Sequence, residues 1–333
     1  MADQGVVEPS WCVTGGAGYI GGHVVRALCE SGRGVVVLDD LSSGERTRLP
    51  QGVRLVVGDV GDPGAVREAL AGGAVRGILH LAARKAVGES VSRPLWYWRQ
   101  NVHGLQTLLE EAVAVGVRRF VYSSSAAVYG QPDTLSPIGE DEPCEPINPY
   151  GATKRAGEWM IDATARRFGW SAISLRYFNV AGAGDPALGD RGIANLIPLV
   201  FRALDEGRRP QVFGDDYPTA DGTCVRDYVH VSDLARAHLA AIRWIEGVDG
   251  AGHLPINIGT GQGASVLEVL HAVSSVVGHE VGIDLVGRRA GDPAQLVAAV
   301  DRAHDVLGWS AAHGLDEMVS SAWTSWRSRE DLP

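Results

Sequence analysis

Short apolar runs alternate with longer stretches of helical periodicity through the first half of the chain. The runs predict strands at residues 11–14, 34–39, 54–58, 77–82, 120–123 and 171–177. Between them, apolar residues recur with the spacing of amphipathic helices, for example at residues 20–31, 63–71, 94–115 and 149–168. Because strands that alternate with helices pair in parallel through right-handed crossovers, we expect an α/β fold built on a doubly wound parallel sheet.

The alternation loosens after Asn179. A glycine-rich segment at residues 181–192 precedes a helical pattern at residues 193–206, a loop-rich region to Asp227 and mixed elements beyond it. We therefore predict one domain at residues 1–180 and a smaller mixed α/β domain at residues 181–333. The second domain is expected to be partly discontinuous, with some segments returning to the first.

Composition narrows the possible functions. The formal net charge of −10 disfavours a nucleic-acid or membrane surface, because binding a polyanion needs a clustered basic face. No apolar run approaches the roughly 20 residues of a membrane helix, and residues 1–8 do not resemble a leader peptide. The four cysteines, Cys12, Cys29, Cys144 and Cys224, include no CxxC pair, so we expect no disulfide framework, no metal site and a cytoplasmic location.

A glycine motif marks the end of the first predicted strand. Gly15, Gly18 and Gly21 in TGGAGYIGGH stand at a strand-to-helix turn, where the backbone can approach a pyrophosphate. Asp39 ends the second strand, where a carboxylate can accept from the adenosine ribose, and no arginine follows it to pair with a 2′-phosphate. The pattern predicts a Rossmann-type NAD site. Asp59, after the third strand, either holds the adenine amino group or only caps a helix.

A second motif supplies proton chemistry. Tyr150 and Lys154 lie four residues apart in a predicted helix, so their side chains share one face. The ammonium and an oxidised nicotinamide ring would pull the pKa of the tyrosine toward neutrality, which lets it take a proton from an alcohol. Ser125, at the end of the preceding strand, would hydrogen-bond the same oxygen. All but two of the 30 basic residues are arginine, and the exceptions are Lys85 and Lys154.

The motifs occur in an order that resembles a known family. TGGAGYIG, LDDLSSG, AARKAVGES, SSSAAVYG, YGATK, RYFNVAGA, GTCVRDYVHV and RRAGDPA are similar to the extended short-chain dehydrogenase/reductases, and most closely to the UDP-glucose (UDP-galactose) 4-epimerases. The resemblance runs from Trp11 to about Trp323. It implies a Rossmann-type NAD-binding domain followed by a UDP-sugar-binding domain, with tightly bound NAD regenerated each turnover.

The resemblance also implies specific contacts. Besides the three glycines, the cofactor set it implies is Tyr19, Ile20, Asp39, Asp40, Leu41, Ser42, Ser43, Gly44, Asp59, Val60, Leu81, Ala82, Ala83, Lys85, Gln100, Asn101, Tyr150, Lys154 and Phe178. The UDP-sugar set it implies is Lys85, Ser125, Tyr150, Asn179, Asn195, Leu196, Gln211, Val212, Phe213, Arg226, the segment 289–292 with Arg289 and Asp292, and Leu296. Arg226 and Arg289 suit a diphosphate, and Phe213 suits a uracil ring. Without the surrounding motifs, the same residues would be interpreted as surface arginines and a core aromatic.

Two alanines bear on the reaction type. Sugar-nucleotide dehydratases of the same scaffold carry an Asp-Glu pair directly after the hydroxyl residue, where this chain has Ala126 and Ala127. The sequence therefore favours 4-epimerisation, in which the sugar is oxidised at C4 and the hydride returns to the other face.

Several alternatives stay open at this point. Arg84 or Arg191 could face a C6 carboxylate, which would make the substrate UDP-glucuronic acid, or they could contact phosphate or solvent. Leu296 aligns with the position that gates the sugar pocket in the family, so whether the pocket accepts a sugar with an N-acetyl group at C2 is undecided. The alternative to an enzyme is a protein of the same fold that senses NAD without catalysing a reaction. The family also implies a homodimer formed through residues 94–115 and 149–168.

Overall fold

The computed structural model describes residues 10–71, 75–132, 135–193, 195–250, 252–289 and 291–328. Residues 1–8, considered above as a leader, and Ala290 lie outside them. The helices are α1 Tyr19–Glu30, α2 Pro63–Leu70, α3 Val87–Ser92, α4 Pro94–Tyr97, α5 Gly104–Ala114, α6 Pro149–Phe168, α7 Leu196–Asp205, α8 Val231–Glu246, α9 Val266–Val277, α10 Asp301–Leu307 and α11 Leu315–Arg327. The strands are β1 Ser10–Thr14, β2 Gly34–Asp39, β3 Arg54–Val57, β4 Val75–His80, β5 Arg119–Ser123, β6 Ser171–Tyr177, β7 Asn179–Ala181, β8 Gln211–Phe213, β9 Val225–His230, β10 Gly252–Ile258, β11 Gly263–Ser265, β12 Asp284–Val286 and β13 Gln295–Leu296.

Seven of the described strands form one sheet in the order β10-β6-β5-β4-β1-β2-β3. The pairs from β3 to β6 across this sheet are parallel. The strand order reverses direction at β1, so the carboxyl ends of β1, β2 and β4 lie side by side at one edge. The predicted doubly wound fold is confirmed, and the six predicted strands differ from the observed ones by at most two residues at either end.

The chain packs as two compact units whose division differs from the expected boundary at residue 180. The first unit takes in the described residues of Met1–Ser124, Thr153–Leu175 and His238–Pro255. The second takes in those of Ser125–Ala152, Arg176–Ala237 and Ile256–Pro333, so it is about as long as the first rather than smaller. The difference has a physical cause, because the end of α8 is tied into the first unit. There Glu246 accepts hydrogen bonds from Trp11 Nε1 at 3.1 Å and from Arg33 Nη2 at 2.7 Å.

The core of the first unit consists of apolar side chains from the sheet and the helices that cover it. Cys12, Leu38, Ile78 and Phe120 contribute from four strands, and each is at most 1% exposed. Such strands are buried on both faces, which explains why their sequences are continuous apolar runs rather than alternating ones.

Among the described residues, no helix combines the length and the apolar character that crossing a membrane requires.

The second unit has two small sheets among its described residues. One has the order β11-β9-β13, with β7 also paired to β9, and the other joins β12 to β8. Asp227 on β9 is fully buried and accepts hydrogen bonds from the backbone N–H groups of Thr260, Gly261 and Ala298 at 2.8–3.2 Å. This one carboxylate therefore holds the loop before β11 and the end of β13 against β9.

The predicted helix at residues 94–115 is not a single α-helix. A π-helical segment, Trp98–His103, separates α4 from α5. The wide turn carries Asn101, which is 3% exposed and whose side chain bonds the backbone N–H and C=O of Arg84 and the hydroxyl of Thr153. Because π segments shift the register of a helix by one residue, this distortion aims the amide of Asn101 at the segment that follows β4.

Candidate active site

The glycine turn after β1 lies in the first unit and depends on missing side chains. A Cβ on Gly15, where φ is +71°, would lie 2.6 Å from Ala82 N, and a Cβ on Gly21 would lie 2.1 Å from Gly15 O. Gly18 is the N-cap of α1, with no side-chain cap and no acidic residue in the first turn. Tyr19 and Ile20 form that first turn. The backbone N–H groups at this helix start suit an anion such as a pyrophosphate.

Asp39 is held rigidly beside this turn. The residue is 6% exposed, and its carboxylate accepts one hydrogen bond from Ala17 N and one from Leu41 N, both at 2.9 Å. Burial raises the pKa of Asp39, and these two backbone bonds act in the opposite direction. Gly44 packs so close that a Cβ would lie 2.7 Å from Asp39 Oδ1. An oriented carboxylate at the end of β2 fits the ribose of a dinucleotide, so the residues present fit NAD.

The other expected cofactor residues follow the carboxyl ends of the same strands. Leu81 and Ala82 donate backbone hydrogen bonds to Thr14, and Lys85 is exposed. Asp59 is exposed and accepts a hydrogen bond from Gly61 N at 2.7 Å. The residue that caps α2 is Asp62 rather than Asp59. Val60 packs into the core, so any contact with a cofactor would come from its backbone.

Three consecutive serines at the end of β5 have three different partners. Ser123 O accepts a hydrogen bond from Lys154 Nζ at 2.6 Å. Ser124 Oγ donates to Glu158 Oε1 at 2.7 Å. Ser125 lies in the second unit, where its Oγ caps a short 3₁₀ turn, Ala126–Tyr129, by accepting from Ala127 N at 3.2 Å.

Lys154 is a buried cation with 3% of its surface exposed. Burial lowers the pKa of Lys154 from 10.5 to about 7, and the negative charge of Glu158 acts against this shift. Glu158 lies one helical turn after Lys154 and is 1% exposed, and its second oxygen pairs with Arg155 at 2.9 Å. The ammonium also lies 5.0 Å from the centre of the Tyr122 ring. Sequence reasoning missed Ser124 and Glu158, although an acid four residues after the lysine was the available signal.

Tyr150 lies in the first turn of α6, four residues before Lys154 on a continuous helix. It is 8% exposed, and its phenol hydrogen-bonds the hydroxyl of Ser125. Burial raises the pKa of Tyr150 above its ordinary value, and the bond to Ser125 lowers it by less. The expected pull toward neutrality is therefore absent from the protein alone, because desolvation disfavours the phenolate.

The two alanines after Ser125 differ in burial. The methyl group of Ala126 is 3% exposed in a cluster with Val128, Tyr129 and Phe178. Ala127 is half-buried, and its carbonyl oxygen packs so close to Gly151 that a Cβ on that glycine would lie 2.4 Å from it. A charged side chain at position 126 would be buried without a partner in this cluster.

Four of the expected UDP-sugar residues contact one another in two pairs within the second unit. The guanidinium carbon of Arg289 lies 4.2 Å from the centre of the Phe213 ring. Arg226 Nη1 donates to the carbonyl of Pro293 at 2.8 Å, and Nη2 lies 3.8 Å from Asp292 Oδ1. An aromatic ring with a guanidinium over its face is suited to a base, and guanidinium groups such as those of Arg226 and Arg289 are suited to a diphosphate.

The remaining expected contacts differ in how they are held. The side chain of Asn179 hydrogen-bonds Tyr228, and Asn195 Nδ2 donates to Asp190 at 3.0 Å. Gln211 is exposed, whereas Val212 is 1% exposed in the core and could offer only its backbone. Leu196 and Leu296 are partly buried against hydrophobic clusters. Arg191 is exposed, and the part of the chain that the structure describes holds no cluster of three His, Cys, Asp or Glu residues suited to a metal.

Arg84 has partners that sequence reasoning did not anticipate. Its Nη2 lies 3.3 Å from Asp40 Oδ2, its Nε donates to Gln100 at 3.4 Å, and its guanidinium carbon lies 5.1 Å from the centre of the Trp96 ring. Asp40 and Arg84 are separated by many residues in sequence, so no local pattern could have linked them.

Comparisons with known proteins agree with these features. Residues 11–259 match the profile of the NAD dependent epimerase/dehydratase family. The UDP-glucose 4-epimerase of Azospirillum brasilense is 46% identical over 99% of this chain and 95% of its own length. That of Streptomyces lividans is 46% identical over 96% of both. A solved structure of UDP-glucose-4-epimerase from Stenotrophomonas maltophila, with bound NAD and formylated UDP-arabinopyranose, has a TM-score of 0.92 and 37% identity, covering 97% of this chain and 99% of that one. The chain therefore belongs to the NAD dependent epimerase/dehydratase family.

Proposed function

We propose that this protein is a UDP-glucose 4-epimerase that interconverts UDP-glucose and UDP-galactose with NAD held throughout the cycle. The observation that carries the proposal is the hydrogen-bonded hydroxyl pair Ser125 and Tyr150, with Lys154 one turn further along the same helix and no acid beside the serine. Relatives named UDP-glucose 4-epimerase that match nearly the whole chain support it.

The proton chemistry is assigned to Tyr150. When bound, NAD supplies a hydride acceptor for C4 of the sugar, returns that hydride, and brings a positive ring while it is oxidised. Tyr150 accepts the proton of the 4-hydroxyl in the first half of the reaction and gives it back in the second. Ser125 donates to the same oxygen as it gains carbonyl character. Because burial alone keeps the phenol protonated, the added positive charge is what makes Tyr150 a base.

The second unit is assigned to the nucleotide part of the substrate. Arg226 and Arg289 are suited to the two phosphates, and Phe213 is suited to stack on uracil once Arg289 moves from its ring face. A firm hold on UDP leaves the hexose able to turn over as the 4-keto intermediate, so that the returning hydride meets the opposite face. Phe178 and Asn179 remain proposed contacts to cofactor and sugar.

Ala126 and Ala127 support epimerisation over dehydration. Elimination of water across C5 and C6 needs an acid and a base near those carbons, and these two positions supply neither. Arg84 already contacts Asp40 and Gln100, which argues against this guanidinium as the partner of a C6 carboxylate. The substrate proposal is therefore an ordinary UDP-hexose rather than UDP-glucuronic acid.

The assembly proposal is a homodimer in the cytoplasm. Val91, Leu95 and Trp159 are 63%, 83% and 61% exposed on α3, α4 and α6 of the first unit. Apolar side chains this exposed support a protein interface, and helices of the expected dimer contribute two of them. Sedimentation velocity of the purified chain checks the dimer.

A substrate comparison tests the proposed function. Turnover of UDP-glucose, UDP-glucuronate and UDP-N-acetylglucosamine is measured under identical conditions with product detected by chromatography. We expect UDP-glucose to give the highest kcat/KM, since Arg84 is paired with Asp40 and Gln100 and the relatives that match nearly the whole chain are named UDP-glucose 4-epimerase. Equal or faster turnover of the uronate would overturn the substrate assignment.

Tyr150→Phe tests the proton acceptor. The variant keeps the ring and removes only the phenol, so we expect kcat to fall about 10²- to 10⁴-fold, the usual contribution of a general base. NAD content and the melting temperature, read in parallel, should stay close to those of the unchanged protein. If the unchanged protein carries NAD but epimerises no UDP-sugar, and Tyr150→Phe alters nothing, the non-catalytic hypothesis is correct.

Lys154→Met tests the burial of the ammonium through stability. The unfolded chain binds this proton below pH 10.5 and the folded chain only below about 7, so burial penalises the lysine fully below pH 7 and progressively less up to pH 10.5. The melting temperature of Lys154→Met minus that of the unchanged protein, measured at matched NAD occupancy, should therefore be highest below pH 7 and should fall as the pH rises. The lost bond to Ser123 O adds a constant offset.

The matched control for this experiment is Lys85→Met, which removes the only other lysine, an exposed one. It should leave the pH dependence of stability as it is in the unchanged protein. A Lys154→Met difference that stays constant between pH 6 and pH 10 would contradict the account of a titrating buried ammonium.

A further inference from the structure

The ion pair between Arg84 and Asp40 joins two loops that flank the glycine turn. Asp40 directly follows β2, and Arg84 comes four residues after the end of β4. In the sheet, β1 lies between β2 and β4 and all three are parallel. The pair therefore spans the edge of the sheet in front of β1, where the glycine turn begins.

The Asp40 side of this bridge is held by its own loop. Ser42 donates its backbone N–H and its hydroxyl to Asp40 Oδ1, at 2.9 and 2.5 Å, which leaves Oδ2 to meet Arg84. Leu41, between them, has a positive φ of 56°, a conformation that is uncommon for leucine and is held here by its N–H bond to Asp39. Glu45 N returns to Ala17 O at 2.9 Å and ties the loop back to the glycine turn.

The Arg84 side is held just as fully. Both backbone groups of Arg84 bond the buried amide of Asn101, at 2.8 and 3.0 Å. The guanidinium is directed by Gln100 and by the ring of Trp96. Arg93 stacks on the same ring at 3.9 Å but pairs with Glu89 instead of Asp40.

A dinucleotide on a doubly wound sheet passes its pyrophosphate over the glycine turn, between the loops that follow the neighbouring strands. We propose that the Arg84–Asp40 pair is a clasp that links these two loops around bound NAD and slows its release. The inference rests on the proposed NAD-dependent function and adds a residue pair that retains the cofactor between turnovers.

The test measures how fast NAD leaves. Protein loaded with radiolabelled NAD is mixed with excess unlabelled NAD, and retained label is followed by rapid gel filtration for Arg84→Leu, Asp40→Asn and the double variant. A partly exposed ion pair contributes up to about 1 kcal/mol, so each single variant should release NAD about two- to fivefold faster. The double variant should match the single ones, because each alone already opens the clasp.

Arg93→Leu is the matched control, because it removes an arginine from the same Trp96 ring without touching Asp40. It should release NAD at the unchanged rate. High salt should bring the unchanged protein toward the rate of Arg84→Leu, since it screens a partly exposed pair.

Three results would overturn the clasp. The first is NAD release from Arg84→Leu at the rate of the unchanged protein. The second is release from Arg93→Leu as fast as from Arg84→Leu. The third is a double variant in which the effects of Arg84→Leu and Asp40→Asn on the release rate multiply. The proposed function is judged separately in the same experiment. An unchanged protein that holds no NAD would refute the proposed function and the clasp together, whereas tight NAD binding with unaffected variants refutes the clasp alone.

Discussion

The ammonium of Lys154 is the charge around which the end of β5 and the start of α6 are organised. A cation that is 3% exposed loses most of its hydration, and burial lowers the pKa of Lys154 to about 7. Its partners in the first unit are a carbonyl oxygen, a carboxylate one helical turn away and the face of a tyrosine ring. The carboxylate is in turn held by Ser124 and Arg155, so an unfavourable burial is offset by a network of charged hydrogen bonds.

The three consecutive serines at residues 123–125 have two different structural roles. Ser123 and Ser124 hold the lysine and its carboxylate, and Ser125 alone pairs with the phenol of Tyr150. The protein by itself keeps that phenol protonated. In the proposed mechanism the phenol becomes a base only when the oxidised cofactor brings its positive charge nearby.

Local patterns predicted the sheet well because its strands and crossovers are specified by their own residues. The glycine turn, Asp39 and the Tyr150 to Lys154 spacing were likewise recognisable as local motifs. Three features were not predictable in this way. They are the contacts of Glu246 with Trp11 and Arg33, those of Asn101 in the π segment with Arg84 and Thr153, and the Arg84–Asp40 pair, all of which join residues far apart in sequence. Burial, which raises the pKa of Tyr150 in the protein alone, could not be judged from spacing either.

In the proposed reaction, hydride leaves C4 and returns to the same carbon without meeting solvent, while the proton moves through Tyr150. UDP-glucose carrying deuterium at C4 tests it most directly when it is incubated with the NAD-loaded protein in ordinary water and the UDP-galactose formed is analysed by mass spectrometry. The account predicts that the product keeps its deuterium and that no NADH accumulates. Loss of the label to water, or release of NADH in proportion to product, would contradict it.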